Sequence, residues 1–439
     1  MMKNKPGKIF SLGLQHVLAM YAGAVIVPLI VGGMMKLTPS QLGYLIAADL
    51  LTCGIATLLQ LWKNRIFGIG LPVVLGCTFT AVFPMISIGK QYGMSAIYGA
   101  IIVSGLFVVL ISGLFSKLIR FFPPVVTGSI VTIIGVTLVP VAMNNIAGGQ
   151  GSPDFGNISN LAIGFGVLAF IVIINRFFTG FIQAISVLLG LIVGTAVSAF
   201  LGKVSFKAVG EASWFSMVKP LYFGMPTFHA SAILTMVIVA IVSLVESTGV
   251  FLALSEICNR KLDEKDLSRG YRAEGIAVIL GGLFNSLPYT TFSQNVGLVQ
   301  LSKVKTRDVI LCAGLLLMGL GLIPKFAALA TVIPNPVLGG AMVAMFGMVV
   351  ASGIKMLGRI DFSNNENLLI IACSVALGLG VTVVPNFFAH LPSVLRIIFE
   401  NGIVAGSVTA IILNIIFNVI GKAGKATNSE EKISVQKVS

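Results

Sequence analysis

Apolar runs of about 20 residues recur along almost the whole chain, and no other feature constrains its fold as strongly, because each run is long enough to cross a bilayer core of roughly 30 Å. In hydrocarbon every backbone N–H and C=O must be satisfied inside the protein, so such runs must become helices. With 56% hydrophobic and 10% charged residues, against about 25% charge in a soluble domain, the chain reads as an all-α polytopic membrane protein. Division at Gly, Pro and charge clusters gives fourteen candidate spans, near 11–33, 42–61, 68–88, 95–116, 124–143, 159–175, 180–202, 229–256, 272–284, 285–302, 308–323, 334–353, 366–384 and 396–420. The first is too long for a signal-peptide core and lacks a small-residue cleavage site after it.

Net charge is +14. With the N-terminus placed in the cytoplasm, roughly three quarters of the Lys and Arg residues fall in cytoplasmic segments, the bias that sets membrane topology. This predicts a multi-pass protein of the cell (cytoplasmic) membrane with both termini cytoplasmic and lipid as its surroundings. Basic loops explain the charge, so it points to no nucleic acid. The segment 422–439 is polar and predicted to be disordered. The five cysteines, Cys53, Cys77, Cys258, Cys312 and Cys373, lack metal-ligand spacing and read as small buried hydrophobes. No metal or cofactor is implied. No HExxH, P-loop, GxSxG or Cys/His cluster occurs, which argues against an enzyme. Without a nucleotide-binding loop, uphill transport must draw on an ion gradient.

Two pairs of segments share nearly the same spacing. Pro124-Val125-Val126-Thr127-Gly128 resembles Pro336-Val337-Leu338-Gly339-Gly340, and Thr78-Phe79-Thr80 resembles Thr291-Phe292-Ser293. A duplication on that spacing gives two halves of seven spans, inverted relative to each other, an architecture in which broken helices hold substrate near the midplane. It pairs the third span, broken by Pro72, Gly76 and Pro84, with the tenth, broken by Asn285, Pro288 and the polar cluster Ser293–Asn295.

Within the spans, Glu246 is the sharpest residue. A carboxyl inside a membrane helix is a functional group by default, acting as a substrate or proton ligand; the alternative is a protonated side chain bonded between helices. Gln294 and Asn295 suit the edge of a heterocyclic base, each amide offering two donors and an acceptor, or act as interhelical hydrogen bonds. Phe79, beside the first break, is a stacking platform or a packing residue. His16 relays protons or packs with one hydrogen bond. Asp49 joins a proton path or pairs with a helix. Glu274, close to Arg269 and Arg272, is an interfacial ion pair or a working carboxyl.

These residues resemble a known family. Gln294-Asn295-Val296-Gly297 with Ser302-Lys303, Gln15-His16, Glu246-Ser247-Thr248-Gly249, Thr78-Phe79 and Ala273-Glu274-Gly275 are similar, in order and in span, to the motifs of the nucleobase–ascorbate transporters. The resemblance implies two inverted seven-span repeats, with short paired strands in spans 3 and 10. It implies core-domain segments at 1–118 and 228–333 and gate-domain segments at 119–227 and 334–421. It also implies a proton symporter that works as a homodimer. Carried over position by position, Glu246 and Gln294 hydrogen-bond the base, Phe79 stacks on it, and Ser293 and Phe292 present backbone groups. Asn295, His16 and Glu274 support the site or couple protons. Gln294 favours an oxidised purine, and xanthine is the expected substrate; uric acid, uracil and an uncoupled facilitator are the alternatives. Ser302 replaces the motif's Thr and keeps a hydroxyl. Val250, one turn after Glu246 on the same face, stands where many relatives carry His or Asp, so a proton path borrowed from them does not transfer directly.

Overall fold

The computed structural model describes residues 6–118, 122–302, 304–384, 387–392, 396 and 399–420. The polar segment 422–439 and Lys303 lie outside the described residues. In chain order the elements are α1 (Pro6–Met34), α2 (Pro39–Leu61), β1 (Leu75–Cys77), a 3-10 turn (Phe79–Ala81), α3 (Val82–Tyr92), α4 (Met94–Leu118), α5 (Pro124–Ile146), α6 (Ile158–Phe177), α7 (Phe181–Ala184), α8 (Ser186–Phe200) and α9 (Lys207–Glu211). They continue with α10 (Ala230–Ile257), α11 (Glu264–Leu283), β2 (Tyr289–Thr291), α12 (Ser293–Ser302), α13 (Arg307–Gly321), α14 (Pro324–Thr331), α15 (Asn335–Leu357), α16 (Asn365–Val383) and α17 (Gly402–Asn414).

Among the described residues, 8 helices are long and apolar enough to cross a membrane, or up to 9 if α13 and α14, bent by 77° across their break, form one span. The protein is a mostly helical, multi-pass membrane protein. The remaining expected spans are short or broken: α8 has 15 residues, and the third and tenth are each a strand followed by a short helix. The ninth begins earlier than its hydropathy predicts, at Glu264. Asp263 caps that helix by accepting from the Asp266 N–H at 2.6 Å, so a charged first turn extends the apolar run.

The described chain divides into two compact units. One comprises Met1–Ser116 and Leu138–Gly347, the other Lys117–Thr137 and Met348–Ser439. In the second, α16 packs along α17, whose start is fixed by Asn401 accepting from the N–H groups of Ile403 and Val404, both at 3.1 Å.

The first unit holds both breaks. Its outer and inner surfaces follow the logic of a lipid solvent. On α4, Leu106, Leu110 and Leu114 recur one helical turn apart and are exposed, the outward apolar stripe that lipid tolerates. The polar groups His16, Asp49, Glu274 and Asn295 are buried instead. Helices approach closely through glycine, as membrane helices do. A Cβ on Gly54 of α2 would lie 2.5 Å from the Gly314 carbonyl and 2.8 Å from the Met318 amide of α13. A Cβ on Gly321 would lie 2.5 Å from the Leu51 amide. The turn into α2 is a capping box: Thr38 Oγ1 accepts from Gln41 N–H at 3.3 Å and Gln41 Oε1 from Thr38 N–H at 3.0 Å.

The connection from α2 to β1 is fastened by charge. Asp266 pairs with Lys63 at 2.8 Å, with Arg260 at 3.4 Å and with Arg269. Partial burial would raise its carboxyl, but the hydrogen bonds from Lys63 and Arg269 and the nearby cations hold it below the usual carboxylate range. Arg260 and Arg307 both donate to the Gly70 carbonyl, at 3.1 and 3.0 Å.

Candidate functional site

The two interrupted segments meet. β1 and β2 pair antiparallel, with Leu75 opposite Thr291, Gly76 opposite Thr290 and Cys77 opposite Tyr289. The ladder is extended by Thr78 N–H donating to the Pro288 carbonyl and Phe292 N–H to the Val74 carbonyl, each at 2.9 Å. This solves the problem of irregular backbone at membrane depth: each break satisfies the other. A short helix follows each strand, α3 after the 3-10 turn and α12 directly. The first-turn N–H groups of such helices lack intrahelical acceptors and carry the positive end of the helix dipole. The strands are anchored to longer helices as well. Leu75 N–H donates to Thr57 Oγ1 of α2 at 3.1 Å.

The glycine at the centre of β1 is required by close approach. A Cβ on Gly76 would lie 2.7 Å from the Phe292 ring, and one on Gly23 of α1 only 2.3 Å from it. Phe292 is therefore wedged between α1 and β1 and buried. Its N–H belongs to the strand ladder, and its carbonyl accepts from Asn295 N–H at 3.2 Å. The backbone groups left at the head of α12 are those of Ser293 and Gln294.

Glu246 sits half-buried on α10, and no hydrogen bond or ion pair holds it among the described residues. α10 packs against the 3-10 turn that carries Phe79, against β2, and against α12, which carries Ser293 and Gln294. Ser293 is exposed and Gln294 half-buried; the Ser293 hydroxyl donates to Gln294 Oε1 at 3.3 Å. Phe79 is buried, at 9% exposure, and meets Phe346 edge to face at 5.5 Å between ring centres. The 3-10 turn bearing Phe79 and the helix bearing Gln294 thus both pack on the helix that bears Glu246.

Sequence reasoning missed what holds them in register. Ser247, the residue after Glu246, places its Oγ 3.0 Å from Thr290 Oγ1, accepts from Thr291 N–H at 3.3 Å and from Thr291 Oγ1 at 3.2 Å. One hydroxyl clamps β2 to the helix carrying the carboxyl. The signal available in the sequence was only a Ser beside the Glu and two consecutive Thr in the break. Losing this clamp strands a buried backbone N–H, at a cost of about 1–3 kcal/mol. Ser247→Ala should therefore lower the midpoint of thermal unfolding in detergent by a few degrees, whereas Ser247→Thr, which keeps a hydroxyl, should recover part of the loss.

The supporting residues separate into two groups. Asn295 is buried on α12 and its Nδ2 donates to the His16 carbonyl of α1 at 3.1 Å and lies 3.0 Å from His16 Nδ1. If the amide also donates to Nδ1, the ring carries its proton on Nε2. Glu274 is buried on α11 with Oε2 unpartnered. It lines a void of about 10 Å³ with Ser104, Ser243 and Tyr289, and it is not the ion pair that its neighbouring arginines suggested: Arg269 goes to Asp266, and Arg272 donates to Ser112 Oγ at 3.0 Å. Val250 is buried, so the position one turn after Glu246 offers it no polar side chain. A larger cavity, about 650 Å³, is lined by Tyr44, Glu211, Lys219 and Tyr222 among others and includes none of the expected substrate residues.

Two strand-initiated half-helices joined at a carboxyl-bearing helix, in a multi-pass helical frame, define a membrane transporter rather than an enzyme. Solved structures share the fold. The transmembrane domain of the cyanobacterium bicarbonate transporter BicA matches with a TM-score of 0.62 at 16% identity, over 94% of this chain and 98% of that one. The murine Solute Carrier 26 family member A9 anion transporter, in its inward-facing state, matches with a TM-score of 0.65 at 13% identity, over 96% of this chain and 69% of that one. A family model described as a permease family matches residues 7–387, and the chain belongs to this family, the nucleobase–ascorbate transporters. It is 63% identical to the nucleobase transporter PlUacP of Paenibacillus larvae subsp. larvae, over 99% of both chains. It is also 63% identical to the xanthine permease of Bacillus subtilis, over 99% of this chain and 100% of that one. The uric acid permease PucK of Bacillus subtilis is 62% identical over 93% of this chain and 95% of that one.

Proposed function

We propose that the protein takes up xanthine across the cell membrane by proton symport, with both termini cytoplasmic. In this reading its fourteen spans form two inverted seven-span repeats and divide into a core (1–118 and 228–333) and a gate (119–227 and 334–421), and two copies form a dimer. The base lies at the paired breaks, stacked on Phe79. Glu246 and Gln294 read its alternating C=O and N–H edge, an amide and a carboxyl together offering both donors and acceptors. Ser293 presents backbone N–H at the head of α12, while Phe292 holds the strand in place by packing. Asn295, His16 and Glu274 support this arrangement or carry the coupling proton. In the cycle, Glu246 takes a proton from outside and the site closes around the base. The core then shifts past the gate, and base and proton leave to the cytoplasm.

The observation that carries this reading is the β1–β2 pairing, which starts two half-helices beside the helix of Glu246. The identity to the Bacillus subtilis xanthine permease supports the substrate. The nearly equal identity to PucK favours uric acid as a second reading.

The test is uptake of radiolabelled xanthine into vesicles holding the purified protein under an imposed proton gradient, with unlabelled xanthine, uric acid and uracil as competitors. Xanthine is expected to accumulate and to be displaced most strongly by itself. Stronger displacement by uric acid or uracil would reassign the substrate. Accumulation unchanged after collapse of the proton gradient would remove the coupling, and simple equilibration in both conditions would identify a facilitator.

A further inference from the structure

A second carboxyl meets the tenth-span break, this one from α2. Asp49 of α2 is completely buried, and no Lys, Arg or His pairs with it among the described residues. Its Oδ1 accepts from Ser286 Oγ at 2.9 Å and lies 3.3 Å from the Tyr289 hydroxyl, and its Oδ2 faces Cys53 Sγ at 3.6 Å. Of the other elements packed on α2, β1 brings Cys77 beside it. The titratable groups that face Asp49 are therefore Cys53, Cys77 and Tyr289, and none of them is a cation.

The contacts beyond Ser286 continue as a series. Ser286 Oγ lies 2.5 Å from the Tyr289 hydroxyl, Tyr289 meets Thr52 Oγ1, and Thr52 Oγ1 donates to the Ala48 carbonyl at 2.6 Å. The series from Asp49 through Ser286 to Ala48 makes four contacts, beside the direct one between Tyr289 and Asp49, but the hydroxyls supply only three hydrogens. A neutral Asp49 supplies the fourth: it donates to Ser286, Ser286 to Tyr289, Tyr289 to Thr52 and Thr52 to the Ala48 carbonyl. An ionised Asp49 lets every arrow reverse. Thr52 then donates to Tyr289, Tyr289 to Ser286 and Ser286 to the carboxylate, and the Ala48 carbonyl keeps only its helical partner. Both directions leave each hydroxyl satisfied, and buried polar groups demand that. A fixed interhelical bond needs one direction only.

We propose that Asp49 is a second proton-binding carboxyl of this transporter, and that the Ser286–Tyr289–Thr52 hydroxyls reverse direction as it gains and loses its proton. The proton joins the carboxylate oxygen and comes from water; the three hydroxyls rotate and keep their own hydrogens. Tyr289 belongs to β2, one residue before the threonines that Ser247 holds. The strand leading to Gln294 is thus held from α2 by a group that reads one carboxyl and from α10 by the residue next to another. The proposal rests on neither the substrate nor the role of Glu246.

Infrared difference spectra of the protein in lipid, between about pH 5 and about pH 9, read carboxyl protonation directly. A C=O band that titrates in the parent, disappears in Asp49→Asn and persists in Glu246→Gln is the expected result, whether or not the protein proves to accumulate xanthine. Tyr289→Phe, which breaks the series but keeps the carboxyl, should move the midpoint of that band by about one pH unit. Asp49→Asn spectra identical to the parent would overturn the proposal. Should Asp49→Asn fail to fold, Ser286→Ala takes its place: it must displace the midpoint, and a midpoint left where it was would overturn the proposal equally.

Discussion

Glu246→Gln should leave the protein in the membrane but end the concentrative xanthine uptake proposed above. The substitution keeps the size of the side chain and its hydrogen-bonding edge while removing its ability to change charge. In the proposed cycle Glu246 already holds its proton when the site closes, so the Gln amide replaces a neutral carboxyl, and a lost neutral hydrogen bond of about 0.5–1.5 kcal/mol should raise the half-saturating xanthine concentration by about tenfold at most. Exchange of external for internal substrate needs no net proton movement and should survive at reduced affinity. Measuring both in one vesicle preparation separates coupling from binding. A Gln variant that still accumulates xanthine at the parent rate would exclude Glu246 as the coupling group.

Gly54→Ala should be among the most damaging single-methyl changes in the chain. Its Cβ would enter a space where the Gly314 carbonyl is 2.5 Å away and the Met318 amide 2.8 Å. Both are backbone atoms of α13, which cannot turn aside as a side chain can. Overpacking of this kind costs about 1–3 kcal/mol or more, and the helices must separate to relieve it. Gly43→Ala on the same helix is the control: no atom lies within 4 Å of its new Cβ, and Ala is favoured over Gly inside a helix by about 1 kcal/mol. Thermal unfolding in detergent should place the Gly54 variant several degrees below the parent and the Gly43 variant at or above it. Equal behaviour of the two would mean that α2 and α13 do not meet through these glycines.

Much of the candidate site was legible in the sequence because membrane helices expose their exceptions. Glu246, Gln294, Asn295 and His16 stood out as polar groups in apolar runs, and the breaks announced themselves through Pro72, Gly76 and Pro288. Residues whose role depends on a distant partner were not legible. Ser247 is an ordinary helix residue until Thr290 and Thr291 are beside it, and Phe292 is one aromatic among 29 phenylalanines until Gly23 and Gly76 are seen to make room for its ring. Glu274 looked paired with nearby arginines in the sequence, yet those arginines turn to Asp266 and Ser112.

The sequence by itself determined a multi-pass helical protein, its two interrupted segments and its family, since hydropathy, chain breaks and contiguous motifs are local properties, written within about 20 residues. Tertiary structure alone decided the strand register, the Ser247 clamp and the surroundings of Asp49. Those depend on groups such as Asp49 and Ser286, 237 residues apart in the chain, meeting in an interior where every polar atom must find its partner inside the protein.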